Sequence, residues 1–266
     1  MKKSRVLEKL RRDEWIIIPQ VGQIPSFKIV EMLGMIGFDA VWIDMEHKDF
    51  GYEALAQMTL ACRATGMDPV VRITKDGYTS VIRPLEVGAA GLIIPHCMSP
   101  EEAARIVRWA KFAPDGLRGV DGAGVDGNYI MMDLPQYVKD ANRETFLVAQ
   151  IEDREAVECI EEIAAVQGID VLFVGPADLS QSYGVFPQFD HPLILSVIDK
   201  VADAAIKYGK WWGIPVRSVD HAREMIGKGA RLLAHGAEVI VLTEGFRTIK
   251  DRFDALRKDL AKGGKS

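Results

Sequence analysis

Two carboxylates and an imidazole follow an apolar segment closely in the sequence FDAVWIDMEH. The residues up to Ile43 are typical of a buried strand. Asp44, Glu46 and His47 lie within the last four positions of the segment. Charged side chains are costly to bury unless they are paired or bind a metal. Their place at the end of a buried strand therefore points to a reactive site.

Polar side chains also end three other apolar segments. Arg72 lies near the end of PVVRIT, Gln150 and Glu152 end TFLVAQIE, and Asp178 follows DVLFVG within GPAD. Each has an ordinary structural explanation: a helix N-cap for Asp178, a favourable helix-dipole contact for Glu152 and a counter-ion role for Arg72. Taken together, these residues are better explained as one site.

This set of residue types suits the chemistry of a small 2-oxo acid. Two carboxylates that leave positions open for water and substrate favour a hard divalent ion such as Mg²⁺ or Mn²⁺, whereas zinc usually has more His or Cys ligands. Asp44 could accept a hydrogen bond from one nitrogen of His47 and leave the other free to act as a base. Arg72 and the metal would then stabilise the enolate oxygen of the substrate.

The elements that would position these residues alternate regularly between strands and helices. Strands are predicted at 15–20, 39–44, 69–74, 91–96, 145–152, 170–175, 211–216 and 238–243. Several of them are apolar throughout, as is typical of parallel strands that are covered on both faces. Helical patterns fill the intervals, with Gly66 as a C-cap and Ser99 followed by Pro100 as a helix start.

This alternation predicts a (β/α)8 TIM barrel of the α/β class, as one domain over residues 1–266. Active sites of such barrels lie at the carboxyl ends of the strands, where the polar residues above are expected to meet. His96, which ends the fourth strand, points toward the same rim. A doubly wound open sheet is the alternative, although no GxGxxG follows the first strand.

The charge of the chain argues against nucleic-acid binding. The chain has 33 Lys and Arg against 38 Asp and Glu, a formal net charge of −5, and basic residues cluster only in the short terminal segments. Contact with a phosphate backbone requires clustered Lys and Arg. We therefore expect no nucleic-acid partner.

The remaining composition indicates a cytoplasmic protein. Cys62, Cys97 and Cys159 are far apart and odd in number, so free thiols in a reducing compartment are expected. The charged amino terminus lacks the apolar segment of a secretory signal. No apolar run approaches the roughly 18 residues of a membrane span, so no membrane partner is expected.

Six segments together resemble the HpcH/HpaI aldolase family, the class II, metal-dependent pyruvate aldolases related to the citrate lyase beta subunit. They are WIDMEH, PVVRITKDG, PLEVGAAGLIIP, PDGLRGV, AQIEDREAVE and FVGPADLSQSYG. The resemblance runs from the first predicted strand to the eighth. It implies an enzyme that reversibly cleaves a 4-hydroxy-2-oxo acid to pyruvate, or a close 2-oxo acid, and an aldehyde.

The resemblance also implies catalytic and metal-binding roles. Glu152 and Asp178 match the family's metal ligands, with Mg²⁺ or Mn²⁺ expected and Co²⁺ or Zn²⁺ as alternatives. His47 matches the catalytic base and Asp44 its partner, while Arg72 matches the arginine that binds the pyruvate oxygen. Glu46 would support the water shell of the metal.

Further implied roles concern substrate binding and assembly. Gln150 matches a polar contact, and Glu86 falls where the family has an acidic residue near the site. The backbone of Ala177 and Asp178 would hold the pyruvate carboxylate. The family typically forms hexamers, so a homo-oligomer is expected, with the helix over 246–262 packed on a neighbouring subunit.

The sequence departs from the family in the irregular segment 114–132. Where many relatives have an arginine or aromatic cluster, this chain has DGAGVDGNYIMM, with Asp121 and Asp126. An anionic aldehyde would be poorly received beside these carboxylates. This feature predicts a less anionic aldehyde as the second substrate.

Three other functions stay open at this stage. A class I aldolase would use a Schiff-base lysine, for which Lys75 and Lys48 are candidates. A lyase acting on a CoA thioester would need basic residues for the CoA phosphates, and the loops are not conspicuously basic. A barrel without catalytic activity would have no need for the combined set of polar residues.

Overall fold

Eight parallel strands close into a barrel in the computed structural model, which describes residues 3–263. The strands are β1 (Ile16–Val21), β2 (Ala40–Asp44), β3 (Asp68–Arg72), β4 (Gly91–Ile94), β5 (Phe146–Ile151), β6 (Val171–Val174), β7 (Trp211–Pro215) and β8 (Leu232–Ala237). Each strand pairs with the next, and β8 pairs with β1. The barrel prediction is confirmed and the open sheet excluded. Residues 1–2 and 264–266 of the expected domain lie outside the described residues.

Helices surround this barrel. They are α1 (Arg5–Leu10), α2 (Phe27–Ile36), α3 (Tyr52–Thr65), α4 (Tyr78–Glu86), α5 (Pro100–Ala110), α6 (Leu134–Glu144), α7 (Arg154–Glu158), α8 (Ile160–Ala165), α9 (Pro176–Ser182), α10 (Pro192–Lys207), α11 (Val219–Gly227) and α12 (Glu238–Gly263). Two predicted caps are confirmed. Gly66 ends α3 with a left-handed φ of 81°, and the Ser99 hydroxyl accepts a hydrogen bond from the Glu102 N–H at the start of α5.

Apolar side chains fill both sides of the sheet. Inside the barrel, Trp42 and Phe173 meet edge to face with ring centroids 5.5 Å apart. The apolar face of α1, including Leu7 and Leu10, joins this inner cluster near the amino-terminal ends of the strands. A larger cluster lies between the strands and the outer helices. The strands are therefore apolar throughout because both of their faces are buried.

The eighth strand was predicted in the wrong place. The segment EVIVLT, over 238–243, forms the beginning of α12, and β8 is the preceding segment LLAHGA. Leu232 pairs with both Ile16 of β1 and Gly213 of β7 and so closes the barrel. The β-branched run in EVIVLT resembles a strand, but β-propensity mainly reflects fit to a packed sheet surface, and no place in the sheet remains for it. The other seven strands lie within two residues of their predicted bounds.

The irregular segment 114–132 lies near the amino-terminal ends of the strands, opposite the expected catalytic rim. It follows α5 and packs at the end of α4, where the Val125 N–H donates to the Glu86 carbonyl at 3.1 Å. Asp126 is buried, and its Oδ2 lies 2.5 Å from both an Arg118 nitrogen and the Tyr137 hydroxyl. Asp126 thus has a structural role within its own chain, and the preference for a less anionic aldehyde stays a prediction.

Helix α12 leaves the barrel after its first residue. Glu238 is buried, but from Val239 to residue 261 every side chain is exposed except the half-buried Asp254. Apolar residues recur along it at alternating intervals of three and four: Val239, Leu242, Phe246, Ile249, Phe253, Leu256 and Leu260. This spacing forms a continuous stripe of the kind that packs against another helix.

Within residues 3–263, no helix has both the length and the apolar character needed to cross a bilayer.

The packing of α2 on α3 can be tested with two helix glycines. A Cβ atom on Gly34 would lie 2.1 Å from Thr65 Oγ1, whereas one on Gly227 in α11 would meet no atom within 4 Å. Gly34→Ala should therefore destabilise the fold by about 1–3 kcal/mol through overpacking. Gly227→Ala should be neutral or stabilising by up to about 1 kcal/mol, since alanine is the better helix former.

Urea unfolding at one fixed protein concentration measures both effects. Equal changes for the two variants would contradict the close approach of α2 and α3.

Candidate active site

The predicted polar residues meet at the carboxyl ends of the strands. Asp44 ends β2 and Arg72 ends β3, and the two are direct partners in the strand register. Gln150 lies in β5, Glu152 follows it immediately, and Asp178 lies in the first turn of α9, just after β6. A parallel barrel brings these strand ends to one rim, so residues distant in sequence share one site.

A buried ion pair anchors this rim. Arg72 Nε donates to Asp44 Oδ1 at 2.8 Å and Arg72 Nη2 donates to Asp44 Oδ2 at 2.7 Å, so the ion pair is bidentate. Arg72 Nη1 also lies 3.0 Å from Glu46 Oε2, and the guanidinium stacks over the Trp42 ring at 5.0 Å. Burial alone would raise the pKa of the Asp44 carboxyl, but the hydrogen bonds and charge of Arg72 outweigh it and hold that pKa below its ordinary value.

The structure places Asp44 and His47 in different contacts. Besides Arg72, Asp44 accepts from the Glu46 N–H at 3.1 Å and from Gln20 Nε2 at 3.3 Å. The exposed ring of His47 has its Nε2 3.5 Å from Glu46 Oε2. Among residues 3–263 Asp44 makes no hydrogen bond to His47, so their expected partnership stays a prediction. Glu46 is instead the carboxylate that lies beside the imidazole.

Glu152 lies at the bottom of the site. Its side chain is 1% exposed and accepts from the His96 backbone N–H at 2.8 Å and from Gln150 Nε2 at 2.5 Å. Burial raises the pKa of Glu152 to about 7; the His96 contacts oppose this rise and the nearby charge of Asp178 adds to it. A Cβ on Gly175 would lie 2.5 Å from Glu152 Oε2, so glycine allows the end of β6 to approach this carboxylate.

His96 is a member of the site that the sequence only hinted at. Its backbone has a φ of 43°, uncommon outside glycine, which turns the N–H toward Glu152. The ring Nδ1 lies 2.9 Å from Asp153 Oδ2, and Nε2 lies 3.7 Å from Glu46 Oε1. Burial alone would lower the pKa of His96, but the Asp153 contact and the neighbouring carboxylate charges raise it. In the sequence, His96 was indicated by its place at the end of the predicted fourth strand, 91–96.

The residues present fit a divalent metal ion. Glu152 and Asp178 supply carboxylate oxygens, and the charge of Asp178 adds to the raised pKa of Glu152. Gln150 Oε1 is buried and has no hydrogen-bond partner among the described residues, an unusual state for a buried polar atom. Residues 3–263 contain no group of three or more His, Cys, Asp or Glu arranged as a metal cage. Mg²⁺ commonly needs only one or two carboxylates, with water and substrate completing its coordination.

Two residues expected to bind substrate differ in their placement. Ala177 lies in the first turn of α9, beside Asp178, as predicted. Glu86 ends α4 at the opposite end of the barrel, because that helix runs antiparallel to the strands. Burial raises the pKa of Glu86, which Arg118 opposes and Asp126 and Asp121 reinforce. Within its own chain, Glu86 therefore belongs with the 114–132 segment rather than with the rim.

Removing the guanidinium should leave Asp44 as an unpaired buried charge. We expect Arg72→Met to destabilise the fold by about 3–5 kcal/mol, and Asp44→Asn combined with Arg72→Met to recover much of this loss. Arg223→Met, which breaks an exposed pair with Asp220, should change stability by less than about 1 kcal/mol. Urea unfolding at pH 7 provides the comparison.

The same variants predict a pH dependence. The folded-state pKa of Asp44 lies below its ordinary value, so the stability from its pairing is present above that value, about 3.9, and is lost as pH falls through the folded pKa. The stability difference between the wild type and Arg72→Met should thus be largest near neutral pH and shrink on acidification. A difference independent of pH would show that Asp44 is not the group responsible.

Known proteins match this chain over most of its length. A model of the HpcH/HpaI aldolase/citrate lyase family matches residues 25–244. The 5-keto-4-deoxy-D-glucarate aldolase of Salmonella arizonae is 31% identical over 226 residues, which cover 84% of this chain and 86% of that protein.

Solved structures give the same result. An HpcH/HpaI aldolase from Desulfitobacterium hafniense has a TM-score of 0.87 at 30% identity, covering 92% of this chain and 96% of that one. A family protein from Burkholderia cenocepacia has a TM-score of 0.87 at 31% identity, covering 95% and 100%. The resemblance read from the sequence is confirmed: this chain belongs to the HpcH/HpaI aldolase/citrate lyase family and is a carbon–carbon lyase of the aldolase type.

Proposed function

We propose that the protein uses a divalent metal ion to cleave a 4-hydroxy-2-oxo acid reversibly into pyruvate, or a close 2-oxo acid, and an aldehyde. The observation that carries this proposal is the fixed Arg72 guanidinium, held by Asp44 and Glu46 on the same rim as the buried Glu152. Relatives at about 30% identity are aldolases of 5-keto-4-deoxy-D-glucarate, which supports a keto acid as substrate.

Charge stabilisation would come from groups already in position. Glu152 and Asp178 would hold the metal, Mg²⁺ or Mn²⁺, which when bound polarises the oxygen of the 2-oxo group. Arg72 would donate to the same oxygen as negative charge develops there. Because the guanidinium is already oriented by Asp44, Glu46 and the Trp42 ring, little reorganisation is needed in the transition state.

Proton transfer is assigned to His47. Its ring is exposed at the rim and has the Glu46 carboxylate 3.5 Å away, which would stabilise the imidazolium formed when it takes a proton from the methyl carbon of pyruvate. In the cleavage direction, the same ring would accept the proton of the 4-hydroxyl group. Asp44 would contribute indirectly, by holding Arg72.

The substrate carboxylate would bind at the start of α9. The first N–H that bonds back within this turn is that of Leu179, to the Gly175 carbonyl at 3.0 Å. The N–H groups of Ala177 and Asp178 precede it and are therefore available to an anion. Gln150 would fix the orientation of Glu152 and the adjoining substrate.

The lysine-based alternative is less well supported. Lys75 Nζ donates to the His96 carbonyl at 2.6 Å and to Glu102 Oε1 at 2.9 Å, so this amine is already engaged by two protein oxygens. Lys48 Nζ lies 3.5 Å from Asp44 Oδ2, in an ion pair. The family also includes citrate lyases, so carbon–carbon cleavage of a CoA-thioester substrate is the second candidate function.

Assembly into a homo-oligomer, a hexamer by family resemblance, is proposed from α12. Its apolar stripe is exposed in the described chain, and α2 also exposes apolar side chains, Met32, Met35 and Ile36. Packing α12 on a neighbouring subunit would cover apolar surface that water otherwise contacts. We further propose a cytoplasmic location, which the odd number and wide spacing of the three cysteines favour.

Exchange of the pyruvate methyl protons in D2O tests the chemistry without an aldehyde. With added Mg²⁺, the wild type should remove the methyl proton signal in NMR spectra, because enolisation releases these protons. EDTA should abolish exchange, and His47→Ala should slow it by about 100-fold or more. His191→Ala, which removes an imidazole that caps the start of α10, serves as the matched control.

Exchange that survives EDTA would instead support a Schiff base, which borohydride trapping would detect. Failure of the wild type to exchange with any divalent metal would exclude pyruvate as the donor.

The oligomer proposal is tested on α12. Phe246→Glu combined with Phe253→Glu should dissociate the assembly, because each change places a charge in the apolar stripe. Thr248→Glu combined with Ala255→Glu has the same spacing on the opposite helix face and should leave the assembly intact. Sedimentation velocity would measure the mass. A wild-type monomer, or dissociation by both pairs, would contradict the proposed interface.

A further inference from the structure

Lys48 is a nearly buried cation at the rim. It follows His47 in the loop after β2, and its side chain is 11% exposed. A Cβ on Gly22 would lie 2.8 Å from Lys48 Cε, so the aliphatic part of the lysine runs close against the loop after β1. That loop is itself held by Glu238, whose Oε1 accepts from the N–H groups of Gly22 and Ile24 at 3.0 and 2.8 Å.

The ammonium of Lys48 is poorly satisfied by the protein. Its one ion pair within residues 3–263 is to Asp44 Oδ2 at 3.5 Å, and it donates no hydrogen bond there. Asp44 does not require it, because Arg72, Gln20 and the Glu46 N–H already bond to both carboxylate oxygens. An ammonium with a single ion pair at 3.5 Å keeps N–H groups that can bind a ligand at the rim, so a role beyond pairing with Asp44 is expected.

The ammonium lies where it could contact the aldehyde, the second substrate, rather than pyruvate. Lys48 Nζ and Arg72 Nη2 approach the same oxygen of Asp44, so the two cations are neighbours across it. Arg72 is the residue assigned to the enolate oxygen, and the aldehyde must lie next to the enolate for the carbon–carbon bond to form. A group attached to the aldehyde would then extend along the rim, where Lys48 and His47 lie.

We propose that Lys48 binds a carboxylate on the aldehyde and so selects anionic aldehydes over neutral ones. This inference rests on the proposed aldolase function. It reverses the expectation drawn from Asp121 and Asp126, since the segment 114–132 lies at the other end of its own barrel. The three N–H groups of the ammonium would provide charge-assisted hydrogen bonds that a neutral aldehyde cannot use to the same extent.

Condensation of pyruvate with two small aldehydes tests this role. Glyoxylate carries a carboxylate, whereas glycolaldehyde carries a hydroxymethyl group in its place. Lys48→Met keeps an aliphatic chain over Gly22 and removes the charge. We expect it to lower the ratio of kcat/KM for glyoxylate to that for glycolaldehyde by about 10- to 100-fold, mainly through the KM for glyoxylate. Lys48→Arg should recover most of the ratio, because it restores a cation.

Lys139→Met is the matched control, because it removes the same charge from an exposed position on α6 and should leave the ratio unchanged. An unchanged ratio in Lys48→Met would overturn the inference. So would an equal loss with both aldehydes, which would indicate a structural role. Methyl-proton exchange by the wild type separates these results from failure of the function itself, since that reaction needs no aldehyde.

Discussion

The contact between Arg72 and Asp44 orders the rest of the candidate site. Because these residues end neighbouring strands in direct register, closure of the barrel brings both charges to the same place, where neither could be buried alone. The ion pair neutralises both charges and holds the guanidinium on the rim, where it also contacts Glu46. The contacts of Glu46 with the imidazoles of His47 and His96 follow from that placement. The chemistry of the rim thus depends on an ion pair that is also a structural element of the barrel wall.

The two ends of the barrel differ in their polar chemistry. At the carboxyl end, Glu152 accepts hydrogen bonds from a backbone N–H and from an amide, and burial raises its pKa to about 7. At the amino-terminal end, buried carboxylates already have partners in hydrogen bonds and ion pairs that stabilise the fold. Asp68 accepts from Ser4 and the Val6 N–H, and Asp126 pairs with Arg118. Acidic residues alone therefore do not identify the site; the end of the strand on which they lie does.

Helix α12 leaves a long apolar stripe uncovered in the described chain. An eighth barrel helix ordinarily packs on the strands beside it, but here the helix departs after Glu238, whose carboxylate holds the loop carrying Gly22. The start of α12 thereby supports the rim, while its remaining length carries an apolar stripe. One continuous helix would in this way connect the substrate-binding loops with the proposed subunit interface.

Sequence patterns determined most of the architecture and the composition of the site. Seven of the eight strands followed from continuous apolar runs, because strands buried on both faces leave that pattern directly. The polar residues that end β2, β3 and β5, Asp44, Arg72, Gln150 and Glu152, were identified because charge after a buried run is unusual. The family followed from the same segments.

Only the tertiary structure decided which of these residues are in contact. Local sequence could not show that Asp44 pairs with Arg72, because strand register sets that distance. It misassigned EVIVLT, since closure of the sheet by LLAHGA is a long-range event. It did not show that Asp126 and Glu86 lie near each other within one chain, because this contact joins the segment 114–132 to the end of α4. Local sequence also could not show that Lys48 lies against Gly22 and Asp44, because burial and hydrogen bonding depend on the folded surroundings.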